Sequence, residues 1–394
     1  MKTILFIFWI VFGLQGVFPD TAEGDYHRFY YMGKTGLLDQ HLQVVLEPLY
    51  QELSLPSEGY CTYRLNDTTW GVVTLDGQTL FEVDAIRLYP VRDDLSLAIF
   101  NLGVGKQRYA EFLTLEGRNP FGVQYPSARP FGNGLAPVSS PVDSEQYTLI
   151  NLQGTYLKMR PMLEIRPFQE GLAAAVTPEN WAGFLDAQGR WAIRPEWTEI
   201  GDFHNGLALV HRFDYTYFIN HQGEPVIDLN PKHIDDLPYE NWFMNSRKVS
   251  GDGYVYALGT TDRAAPQPWN TRTLYYYRDG SQVFMSSFFA IGGDFEEGVA
   301  SFTGMVDGEL TRGFWDTTGQ IVQVLPEGFI FVDEVFDSFG DYKSNYQNGW
   351  VPIMEKDYRT GTWEGWAFLN KEDEVIYVRD IMDQYYRNKE SGEQ

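Results

Sequence analysis

The sequence predicts an all-β protein built as a tandem array of about nine short β-meander repeats. Three observations carry this: the composition, a strand–turn–strand motif that recurs along nearly the whole chain, and a second marker that recurs between copies of the first. Of 394 residues 16% are aromatic, with 25 Tyr, 27 Phe and 11 Trp, and 38 are Gly. Aromatic side chains suit pleated, half-buried surfaces, and glycine serves tight turns. A hydrophobic content of 43% is enough for a sizeable core and excludes wholesale disorder.

The motif is clearest from Ala182 to Pro195. Gly183-Phe184-Leu185 reads as a strand, Asp186 as a residue that hydrogen-bonds forward into a turn, and Gly189 as its closing residue. Arg190 to Ile193 resumes strand composition, and Pro195 ends it. Gly71-Val72-Val73-Thr74 with Gly77 and Gly313-Phe314-Trp315-Asp316 with Gly319 repeat the spacing. Weaker copies centre on Asp39, Thr114, Asn151, Asn220, Tyr277 and Asn370. Of the nine turn-forming positions, all but Tyr277 are Asp, Asn or Thr. Two intervals exceed the rest, 220 to 277 and 316 to 370, which places insertions at 228–272 and 326–364.

The second marker is an aromatic, two variable residues, then Gly-Leu-Ala. It occurs at Phe131, Phe168 and Phe203, with Phe295-Glu296-Glu297-Gly298-Val299-Ala300 and Tyr346-Gln347-Asn348-Gly349-Trp350-Val351 as variants. The aromatic would anchor the loop in the core, and the glycine would turn the chain into the next strand.

This order, Gly-apolar-apolar-Asp-x-x-Gly, then Pro, then Phe-x-x-Gly-Leu-Ala, resembles the WG-repeat family, and Trp70-Gly71 carries the eponymous dipeptide. The tryptophan is replaced in Thr35-Gly36, Ala182-Gly183 and Arg312-Gly313, and Trp366-Ala367 loses the glycine. The resemblance runs over roughly residues 31–378. It implies a β-rich interaction scaffold and brings no shared catalytic residues. Units of this size bury their apolar faces against neighbours, and either an open curved array or propeller-like closure satisfies that need.

Domain organisation follows. Lys2, the apolar stretch from Ile4 to Phe12, and small Gly13 and Gly16 before a polar segment read residues 1–22 as an export signal, too short an apolar run for a membrane span. The array occupies 25–378, and 379–394 is a short helix, expected over 380–387, with a polar tail. The expected location is therefore the cell envelope or exterior.

The formal charge of −24 excludes nucleic-acid binding, which needs clustered Lys and Arg. Cys61 is the single cysteine, so intramolecular disulfides are excluded, and it reads as a small buried hydrophobe. Six scattered histidines form no metal-ligand spacing, and His204, His211 and His221 read as exposed residues of turns and strand ends. Asp228, Asp235, Asp236 and His233 are a loose acidic group without the spacing of a calcium loop. No catalytic residues, metal site or cofactor is assigned. The expected function is a non-enzymatic binding or scaffold protein with a protein or glycan partner. The alternatives are a carbohydrate- or peptidoglycan-binding module and a glycan-active hydrolase. Trp242, Tyr254, Tyr256 and Trp269, in the first insertion, are the candidate ligand-binding residues, because aromatics in loops serve binding hot spots.

Overall fold

The computed structural model describes residues 26–102, 107–213, 215–229, 241–244, 249–260, 267–332, 345–356 and 363–392. The expected export signal lies outside them, as do His233, Asp235 and Asp236. Among the described residues, thirty-two strands form nine antiparallel sheets in chain order, followed by one helix, α1 (Val378–Ser391).

The fifth sheet shows the plan. Glu164–Ile165, Ala173–Val176, Ala182–Leu185 and Trp191–Trp197 pair in that order. The first sheet has three strands, Tyr26–Tyr31, Lys34–Asp39 and Val44–Tyr50. In the fourth, Leu135–Ser139 and Tyr147–Asn151 are continuous, while the isolated bridges Ala128↔Val138 and Tyr147↔Met162 hold the outer places.

The repeated residues do local work. Asp186 Oδ1 accepts the Gln188 amide at 2.9 Å and the Arg190 amide at 3.0 Å, and Gly189 follows at φ +70°. Asn151, Asn220, Asp316 and Asn370 hold the turn between third and fourth strands in the same way. Between first and second strands, Glu170-Gly171, Asn205-Gly206, Glu297-Gly298 and Asn348-Gly349 have both residues at positive φ. That is the tight hairpin turn whose twist matches the strands it joins. The aromatics before them, Phe168, Phe203, Phe295 and Tyr346, are buried as anchors.

The paired apolar residues of the third strand explain the higher architecture. Successive side chains of a strand point to opposite faces, so two apolar neighbours mean a sheet buried on both sides. Leu149 joins the core between the fourth and fifth sheets, and Ile150 the core between the third and fourth. Phe218 and Ile219 divide likewise, towards the seventh and the fifth. In the ninth sheet Leu369 faces the eighth, and Phe368 enters one core with Phe29 and Leu38 of the first. The array therefore closes on itself as a β-propeller, which settles the choice that the sequence leaves open.

Helix α1 seals the closure. Its Val378 and Met382 are buried in that same core, the Tyr385 hydroxyl donates to Glu47 at 3.0 Å, and Lys389 pairs with Glu47. It begins before residue 380 and continues past 387, because the apolar side of its first turns has this core to cover. Residues 228–272 supply Asn241–Met244 and Tyr254–Thr260, the first two strands of the seventh sheet. Likewise 326–364 holds Phe329–Phe331 and Trp350–Lys356 of the ninth. The added length of the first stretch falls before Asn241 and between Thr260 and Thr271, and the sheets themselves stay regular.

Candidate binding face

In an antiparallel four-stranded sheet, the first and third connections leave from one end and the second from the other. The first connections meet around the ring: the Gly134 amide donates to Asp93 at 3.0 Å and the Gly206 amide to Glu170 at 3.0 Å, each bond joining neighbouring sheets. All sheets therefore present the same end to the same side. One face of the propeller is built of the repeat's own turns, and the other of the connections between second and third strands.

These second connections vary where the turns do not. In the first sheet, whose three strands match the second to fourth of the others, two residues join Tyr31 to Lys34, while in the seventh ten join Thr260 to Thr271. They carry some of the exposed apolar side chains: Met32, Leu65, Val142, Trp181, Phe213 and Trp269 lie at the tips of six different sheets. Exposed apolar residues scattered singly are ordinary, and those that touch one another are the more telling.

Phe213 is the sharpest member. It is 72% exposed at the tip of the hairpin between Leu207–Arg212 and Tyr215–Asn220, and its φ is +55°. A bulky side chain in that region is strained by about 1–2 kcal/mol, and Asn, Asp or Gly is the unstrained choice. Its ring meets Trp181 of the fifth sheet edge-on, with centroids 6.4 Å apart. Next to it Tyr215 stacks on Tyr217 at 6.3 Å, and Tyr217 meets Trp197 at 6.3 Å. The aromatic surface thus spans two sheets. Ion pairs frame it, Arg212 with Glu196 at 3.2 Å and Arg160 with Glu179 at 2.6 Å.

The four residues singled out from the sequence do not form one site. Trp269 is 59% exposed on the second connection of the seventh sheet, so it belongs to the variable face. Trp242 sits on the first strand of that sheet, opposite Gly259. Tyr254 is half-buried near the opposite end, against Tyr277 and Phe295. Tyr256 is only 8% exposed and belongs to the core with Tyr275. Trp181, Phe213 and Met32 escaped sequence reasoning, although an aromatic between Arg212 and Asp214, where a two-residue turn favours Asn or Gly, is a legible signal.

Cys61, His211 and His221 are packed into the fold. Cys61 is fully buried, and burial pushes its thiol up to about 12, so it is inert. The three histidines expected at the surface are half-buried instead. His221 stacks on Phe203 at 4.3 Å, and His211 bonds Thr216 at 2.9 Å with burial lowering its pKa. Among the described residues no three His, Cys, Asp or Glu gather as a metal site, and no helix is long and apolar enough to cross a membrane.

Two stretches, residues 36–68 and 183–210, match the family model described as WG containing repeat. These two stretches are WG-type repeats. The matched stretches include the Gly36 and Gly183 motifs, and each runs from the third strand of one sheet into the second strand of the next, so the WG unit here straddles two neighbouring sheets. Among solved structures, the chain is similar to one described as the crystal structure of the eukaryotic initiation factor. That pair has a TM-score of 0.53 at 9% identity over 90% of this chain and 98% of that one, a likeness of fold. The crystal structure of BamB from Moraxella catarrhalis gives a TM-score of 0.42 at 9% identity, over 83% of this chain and 92% of that one. No curated protein sequence matches the chain.

Proposed function

We propose that the protein is an exported, non-enzymatic scaffold that holds a protein partner on the variable face of its WG propeller. The observation that carries this is Phe213, a strained and largely exposed aromatic at a hairpin tip, in contact with Trp181 of the next sheet. Strain retained in a surface turn argues for a use outside the fold. Aromatic side chains dominate the energetics of protein interfaces, and Trp269 and Met32 extend the same surface. Lys2 and the apolar stretch from Ile4 to Phe12 support export.

The test is affinity capture of the tagged full-length protein from its native cells, with Phe213→Asn and Trp181→Ala alongside. A protein retained by the wild type and lost by both variants, with melting not lowered, supports the reading. Retention of the same partner by both variants overturns the face. A glycan captured in place of a protein overturns the partner class. N-terminal sequencing of the native protein checks export, which an intact Met1 in a soluble cytoplasmic fraction would refute.

A further inference from the structure

A shallow, open depression lies between the seventh and eighth sheets, on the face built of regular turns. It sits where the repeat departs from its own rule. Tyr277 holds the position that Asp, Asn or Thr holds in the other eight units. The turn is held instead by Asp279, whose carboxylate accepts the Ser281 amide at 2.8 Å and the Ser281 hydroxyl at 2.6 Å. Relieved of the turn, the Tyr277 ring stands 5.1 Å from Tyr254 at 62°, so the two rings form a corner. Phe295 fixes Tyr254 from behind at 4.7 Å. Asp252, Ser281 and Thr317 supply the polar part of the wall, and Asp252 is oriented by the Gly298 amide at 2.6 Å. None of the described lining residues is basic, and the nearest cation is Arg278, whose stem packs beside Gly253.

We propose that this depression recognises an organic ammonium group, held by the Tyr254–Tyr277 corner and the Asp252 carboxylate. The site is independent of the partner-binding face. A cation beside aromatic rings is attracted by their quadrupoles, and a nearby carboxylate adds to that attraction. A phosphate or carboxylate ligand would meet Asp252 head-on, and a neutral sugar would leave it without a countercharge. The Tyr254 hydroxyl reports the same field: its pKa is raised by burial first, then by Tyr277 and Asp252. The ammonium could be that of a small molecule or of a modified lysine on a protein, and the two differ in what is attached to it.

The experiment is calorimetric titration of the full-length protein with choline chloride, with 3,3-dimethyl-1-butanol as its neutral isostere, with N-acetylglucosamine, and with a trimethyllysine peptide. Saturable binding of choline or the peptide, at least about tenfold tighter than the isostere, is the expected result, and the tighter of the two identifies the source. Equal binding of the isostere, binding of the sugar alone, or no saturable binding overturns the proposal. Tyr277→Asp restores the repeat's usual turn-former and should abolish binding with melting unchanged. Should that variant fail to fold, Asp252→Asn keeps an acceptor for Gly298 while removing the charge. A loss of at least about tenfold is expected of it, and undiminished binding overturns the proposal.

Discussion

The Gly206 amide donates to the Glu170 carboxylate at 3.0 Å, tying the hairpin turn of the sixth sheet to that of the fifth. Asp93 with Gly134, Asp252 with Gly298, and Glu297 with Gly349 repeat the bond across other sheets. Part of the chain's acidity is therefore structural. Glu170→Ala should cost about 1–2 kcal/mol, as expected for losing a hydrogen bond to a charged group, and Glu170→Gln should recover most of it. Urea unfolding measures both, and equal stability of all three proteins would show that the bond contributes nothing.

Two glycines separate backbone strain from steric blockage. Gly77 is at φ +84° with open space where a Cβ would stand, so Gly77→Ala should cost about 1 kcal/mol, from conformation alone. Gly183 is the glycine of the motif, and a Cβ there would lie 2.7 Å from the Ile193 carbonyl oxygen. Gly183→Ala should therefore cost more, about 1–3 kcal/mol, because a backbone must move. Paired melting curves decide the order.

Phe213→Asn should hold or raise stability, by up to about 1 kcal/mol, since Asn adopts positive φ without strain. A clear drop in melting temperature would mean that the contact with Trp181 stabilises the fold more than the turn strains it.

Met382→Ala removes a fully buried side chain from the core shared by the first sheet, the ninth sheet and α1. A loss of about 2–5 kcal/mol is expected, with tryptophan fluorescence shifted to longer wavelength as Trp366 in that core meets water. Denaturant titration followed by fluorescence tests it.

Asp316 is held below the usual carboxylate range, by the Thr318 hydroxyl first and by the Thr318 and Gln320 amides. A depressed folded-state pKa stabilises the native turn above the unfolded value, and that stabilisation fades as pH falls through the folded value. NMR titration should place this group below the free aspartate value of about 3.9. A midpoint above it would contradict the turn geometry.

The unit and its turns were legible because they are local chemistry: a polar side chain reaching forward to two amides, and glycines at positive φ. Closure was not, because an apolar pair such as Phe218-Ile219 reads alike in an open stack and in a ring, and only the surroundings of Phe368 and Leu38 distinguish them. Tyr254 and Tyr256 lie on the same side of one strand, so periodicity gives them equal standing; position along the strand leaves one at a surface depression and the other in the core. Phe213 and Met32 were overlooked because they stand in the connections that no repeat template covers.

The meeting of Phe368 with Phe29 and Leu38 also governs how the molecule comes apart. A linear stack of units frays from its two ends, where each outermost unit is held on one side only. In a ring every sheet has two neighbours, so there is no privileged place for opening to start. Amide hydrogen exchange should show the first and ninth sheets as protected as the fifth, with the slowest amides at the paired apolar residues all around the circle.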